Sequence, residues 1–148
     1  MRSIVVNAWM AGALALAGGM LSACTTNRLD RQGERTGPWR THYDAAKQQL
    51  MSRGRYRHDQ PRGHWRYYSQ AGRLEREERF RPNGTSYIIY YYPNGRVWRR
   101  GLSRLTDNGR TLHYYWTGDW LIYNESGALE QVETYALGKL VSTRTAGQ

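Results

Sequence analysis

Two stretches of this chain repeat one pattern 55 residues apart. Gly63-x-Trp65-x-x-Tyr68-x-x-x-Gly72-x-Leu74-x5-Phe80 returns without a gap as Gly118-x-Trp120-x-x-Tyr123-x-x-x-Gly127-x-Leu129-x5-Tyr135. A fixed repeat confines a chain to architectures that use one small unit again. Looser copies lie between: Phe80…Gly84, Tyr91…Gly95 and Tyr114…Gly118 fit aromatic-x-x-x-Gly, and Leu105…Gly109 fits with Leu. The glycines recur every 9 to 14 residues, the spacing that short strands and tight turns produce.

Pro82-Asn83-Gly84, Pro93-Asn94-Gly95 and Asp107-Asn108-Gly109 each place Asn before Gly, a dipeptide that tolerates the positive φ of two-residue hairpin turns. The runs 86–92, 111–116 and 119–123 are rich in β-formers. In the strand from Leu74, residues Leu74, Arg76, Glu78 and Phe80 share one face, leaving Glu75, Glu77 and Arg79 toward water. An antiparallel meander of about seven or eight short strands is expected.

The unit Gly-x-Trp-x-x-Tyr-x-x-x-Gly-x-Leu, followed by an aromatic and Asn-Gly, resembles bacterial MORN-type repeats in the variant form of exported proteins. The resemblance covers Gly63 to Val141 and is looser from Val97 to Asn108. It implies an all-β fold, an antiparallel meander of repeated β-hairpins forming one elongated twisted sheet, and a binding or scaffolding role.

The N-terminus is of another kind. After Arg2, the stretch from Ile4 to Ala23 carries no charge and ends Leu21-Ser22-Ala23-Cys24. A positive start, an apolar run and small residues before a cut describe a secretory signal. A permanent membrane helix fits less well, because Asn7 and three glycines interrupt the run and a Cys stands where it stops. Leu21-Ser22-Ala23-Cys24 is similar to the lipobox of bacterial lipoproteins. That resemblance implies a signal over 1–23, lipidation of Cys24 and, since Thr25 is not Asp, an outer-membrane address. Cys24→Ser is then expected to leave only uncleaved precursor on an immunoblot; normal processing would refute the lipobox.

Residues 24–62 are expected to hold the lipidated Cys, a basic tether from Thr25 to Pro38, and a short N-terminal helix over Asp44 to Met51, capped by Asp44 and ended by Gly54. The repeat domain follows over 63–141 and a tail over 142–148. Of 22 basic residues only Arg2 is lost with the signal, against 12 acidic ones. Such a surface draws polyanions, which for an exported protein means anionic lipid, lipopolysaccharide or wall polymer. Nucleic acid is in the wrong compartment and is not expected as a partner.

The strand from Ser86 to Tyr92 is aromatic or apolar on both faces, so both need cover: the expected helix on one, a partner, ligand or second copy on the other. Cross-strand pairing alone accounts for many such rings. A Tyr/Trp surface flanked by Arg also suits recognition. Tyr87, Tyr90, Tyr92, Trp98, Arg99, Arg100, Tyr114 and Trp116 are the candidate binding surface, with Arg96, Arg104 and Arg110 nearby.

No catalytic residue, cofactor or metal site is expected. His42, His58, His64 and His113 lack metal-ligand spacing, and Glu75 with Glu77 reads as an exposed strand face. A catalytic reading would need His64 or His113 to meet a carboxylate in a pocket. The expectation is a non-enzymatic lipoprotein presenting its sheet to an envelope protein, glycan or anionic lipid; an immunity or antitoxin role, or a structural role in a secretion assembly, is the alternative.

Overall fold

The computed structural model describes residues 25–107 and 111–147. The expected signal, Cys24, the Asn108-Gly109 turn and Arg110 lie outside the described residues. The fold is all-β. Ten strands pair in strict sequence order in one antiparallel sheet: β1 (Arg28–Leu29), β2 (Arg35–His42), β3 (Leu50–Arg57), β4 (Gln60–Tyr68), β5 (Leu74–Phe80), β6 (Thr85–Tyr91), β7 (Val97–Asp107), β8 (Leu112–Tyr123), β9 (Leu129–Ala136) and β10 (Lys139–Thr145).

The sheet begins at Arg28, inside the segment read as a tether, and β10 continues into the segment read as a tail. No helix occurs among the described residues, so the one expected over 44–51 is corrected. Asp44 caps a loop instead: its carboxylate accepts from the N–H groups of Gln48 at 3.0 Å and Gln49 at 2.7 Å. The Tyr43 N–H closes the loop onto the Gln49 carbonyl at 2.9 Å. Two turns of helix cost more to nucleate than they return. From Leu50 the period of two prevails, with Ser52, Gly54 and Tyr56 turned inward and Arg53, Arg55 and Arg57 exposed.

The repeat in sequence is a repeat in space. Gly63 faces Phe80, Trp65 faces Glu78 and Tyr68 faces Leu74 across β4 and β5; Gly118 and Tyr135, Trp120 and Glu133, and Tyr123 and Leu129 do the same across β8 and β9. Each repeat tryptophan also lies over a glycine of the preceding strand. Trp65 covers Gly54, and Trp120 covers Gly101. The indole N–H of Trp65 donates to the Arg55 carbonyl at 3.2 Å, and that of Trp120 to the Leu102 carbonyl at 3.0 Å. These two rings are 3% and 0% exposed. Together with Ile88 and Val132 they form the apolar centre of a sheet with no second layer among the described residues.

The turns depart from expectation in one respect. At Asn83-Gly84 and Asn94-Gly95 only the glycine has positive φ, 76° and 84°. Each loop holds three residues, closed by hydrogen bonds such as Arg81 N–H to the Thr85 carbonyl at 2.8 Å. The asparagines work through their side chains: Asn83 Oδ1 accepts from the Thr85 N–H and Asn94 Oδ1 from the Arg96 N–H. Among the described residues, the two-residue turns are His58-Asp59, with φ of 48° and 58°, and Leu137-Gly138.

Candidate binding faces

Residues directly opposite in an antiparallel pair share a face. The register therefore places Tyr67, Arg76, Tyr90 and Arg99 in one row across β4 to β7. Rings and guanidinium groups alternate along it. The Arg76 guanidinium lies 3.8 Å from the Tyr67 ring centroid and 5.9 Å from that of Tyr90. Arg99 lies 4.8 Å from Tyr90, 4.1 Å from Trp98 and 4.5 Å from Trp116. Beyond it, Trp116 stacks on Trp120 at 4.1 Å and meets Tyr135 edge-on at 5.2 Å. In the other direction Trp65 leads through Tyr56 to Trp39, at 4.8 and 5.5 Å. Guanidinium over an aromatic ring contributes about 0.5–2 kcal/mol, and its weak hydration lowers the cost of partial burial. Arg99 Nε is buried without a hydrogen-bond partner among the described residues; the rings, not an acid, hold that side chain.

Of the sequence-derived surface, Tyr90, Trp98, Arg99 and Trp116 come together in this band. Trp98 joins them through a bulge: the register passes from Tyr90–Arg99 to Tyr91–Val97, leaving Trp98 as the extra residue. Tyr92 lies beside Trp98 at 6.2 Å and donates its hydroxyl to the Tyr123 carbonyl at 2.9 Å. Tyr114 shares the face, but its hydroxyl turns inward to Glu78 at 2.8 Å. Trp98 and Tyr114 remain 37% and 45% exposed. Tyr87 and Arg100 do not belong here. Their cross-strand partners, Arg79 and Leu102 for Tyr87 and Ile89 and Leu121 for Arg100, lie on the opposite face.

Beneath Tyr114 lies a polar knot that the sequence did not announce. Glu78, Ser86 and Ser103 are buried. Ser86 donates to Glu78 at 2.5 Å, and the two serine hydroxyls are 2.5 Å apart. Burial, and then the Glu78 charge, push the Tyr114 phenol well above its ordinary range.

The opposite face is cationic at its N-terminal end. Arg40, Arg53 and Arg66 stand directly opposite one another across β2, β3 and β4, and Arg55 opposes Arg62. Among the described residues no carboxylate pairs with Arg40, Arg53, Arg55 or Arg57. Glu77 closes the first row: Arg66 Nε reaches it at 2.8 Å, Tyr91 donates to it at 3.0 Å, and His64 Nε2 lies 3.3 Å away. Burial opposes the Glu77 charge, but the bonds from Arg66 and Tyr91 hold its carboxyl below the usual range.

Here, then, is a histidine meeting a carboxylate. The hollow beside the pair is lined by Glu78, Arg79, Arg81, Tyr87 and Ile89, and both Glu77 oxygens already accept from Arg66 and Tyr91. Glu75, its imagined partner, is exposed. A second histidine cluster was illegible in sequence: His58 Nδ1 lies 3.0 Å from Asp30 and 3.2 Å from Glu34. These three donors lie within 4.8 Å of one another and are the described residues that could ligate a cation; the His58–Asp30 contact is a side-chain hydrogen bond.

Burial first, and then Glu78 for Tyr67 and Glu77 for Tyr91, push both phenols up to about 12 from an ordinary 10.0. A raised folded-state value means that their stabilisation is complete below pH 10 and is lost as pH rises through the folded value. Alkaline unfolding followed by circular dichroism should fall between about pH 10 and 12, with the ring resonances of Tyr67 and Tyr91 moving to tyrosinate in the same step. Tyrosinate at these two rings at pH 10 with the fold intact would contradict their burial.

No protein-family model, no curated protein and no solved structure matches this chain.

Proposed function

We propose that this protein is a lipid-anchored, non-enzymatic binding module of the bacterial envelope, held at the outer membrane through Cys24, whose aromatic–guanidinium face engages an envelope protein. The observation that carries it is the cluster of Trp98, Arg99, Trp116 and Tyr90, gathered from three strands on a face that no second layer covers among the described residues, with Trp98 left accessible. Tyr, Trp and Arg are the residues that dominate protein-recognition energetics. The hairpin-by-hairpin build and the repeated Trp-over-Gly unit support the resemblance to MORN-type repeats.

The test is crosslinking and capture of the lipidated protein from its native envelope, beside a Trp98→Ala variant. Trp98 adds little to the centre of the sheet, so the variant should fold normally and lose about tenfold or more of its captured partner, the size expected of a recognition hot spot. Equal capture by both proteins would sink the assignment of this face, and recovery of wall glycan in place of protein would replace the partner class.

A further inference from the structure

We infer that the arginine face of β2, β3 and β4 rests on the phosphate headgroups of the bilayer that holds the Cys24 anchor; this builds on the lipid-anchor reading above. A short leash holds the N-terminal edge of the sheet at the bilayer, and charge selects which face turns to it. Asn27 is already part of the sheet: its N–H donates to the Pro38 carbonyl at 2.9 Å, its side-chain amide donates to the Arg40 carbonyl at 2.8 Å, and its Oδ1 accepts from the Arg40 N–H at 2.7 Å. Only Thr25 and Thr26 separate it from Cys24. A chain spans at most about 3.3–3.6 Å per residue, so Asn27 stays within roughly 10 Å of the acylated residue. That is close to the screening length of about 8 Å at physiological salt.

Arg28, the next residue after this clamp, pairs with Thr36 and so shares the face of Arg40, which is followed across the sheet by Arg53 and Arg66, with Arg55, Arg57 and Arg62 alongside. Like charges placed directly opposite one another destabilise a sheet. A plane of phosphates removes that penalty, because each planar guanidinium can bind phosphate with two parallel hydrogen bonds. Of the acids at this end, Asp59 pairs with Arg35, while Asp30 and Glu34 gather at His58 and are outnumbered by the arginines of the face. With this face against the membrane, the aromatic band faces away from it.

The full lipidated chain in non-ionic detergent micelles can be probed through its arginine Nε–H resonances. Doping with phosphatidylglycerol should shift those of Arg40, Arg53, Arg55 and Arg57 saturably, and molar salt should reverse the shift. Phosphatidylcholine should shift them far less. Changing Arg53, Arg55 and Arg57 together to Gln should weaken the phosphatidylglycerol response at Arg40 on the order of a hundredfold, while the same three changed to Lys, which keeps the charge but not the paired hydrogen bonds, should fall between that variant and the parent. If free inorganic phosphate shifts the resonances as strongly as the anionic lipid, the face is a soluble-phosphate site and the bilayer inference is overturned. An acylated chain with no phosphatidylglycerol response overturns this inference alone. A chain whose mass shows no acyl group overturns the anchor reading beneath it.

Discussion

Gly101→Ala is expected to cost about 3–5 kcal/mol of folding stability, the range for losing a buried aromatic side chain altogether. A methyl at this position would sit 2.4 Å from the Trp120 indole, and that ring is fully buried and stacked on Trp116. Either the indole leaves its seat or the strands separate, and both break its hydrogen bond to the Leu102 carbonyl. Against a total stability of about 5–15 kcal/mol, this is a large share. Gly54→Ala under Trp65 should behave alike, with the methyl 2.1 Å from the ring. Gly95→Ala, which meets nothing within 4 Å but sits at φ 84°, should cost only about 1–2 kcal/mol of backbone strain. Denaturant melts give all three values. The double variant with Trp120→Ala is the sharper test: the struck ring is gone, so the combined loss should equal that of Trp120→Ala alone. Simple addition of the two losses would mean that Gly101 matters for a reason other than the indole above it.

Glu78→Ala should cost about 3 kcal/mol. The carboxylate is 2% exposed and accepts from Ser86 and from Tyr114, which reaches it from three strands away. Removing it leaves those hydroxyls in a buried place without their acceptor. Glu78→Gln keeps one oxygen acceptor in place and should lose only about 1–2 kcal/mol. Shifted unfolding midpoints with unchanged m-values would bear this out. A Glu78→Ala protein as stable as the parent would show that the knot is incidental.

Legibility in the sequence followed the physics of each element. The repeat glycines and the tyrosine-rich strands were readable because alternation and turn chemistry are local. In sequence Gly54 stands where a helix from Asp44 would stop, yet it is the floor beneath Trp65. A glycine between Arg53 and Arg55 carries no local mark of the ring that will cover it, although the Arg53-Arg55-Arg57 alternation was a strand signal available to reading. The good helix formers from Asp44 lost to two N–H groups captured by the Asp44 carboxylate. The candidate surface divided because strand parity put Tyr87 and Arg100 on one side, while a bulge that no composition announces moved Trp98 to the other. The knot at Glu78 and the cluster at His58 join residues from distant strands, and only the register reveals them.

Every strand in this sheet bonds only to its neighbours along the chain. Closing each hairpin therefore demands little loop entropy, and such local wiring is the kind that folds fast. The sheet should assemble like a zipper and fray inward from its two rims, β1 and β10, as quasi-linear arrays do. Shortening it by one hairpin would then yield a narrower sheet, not a ruined one, a tolerance that lets evolution change the width of such a protein one hairpin at a time.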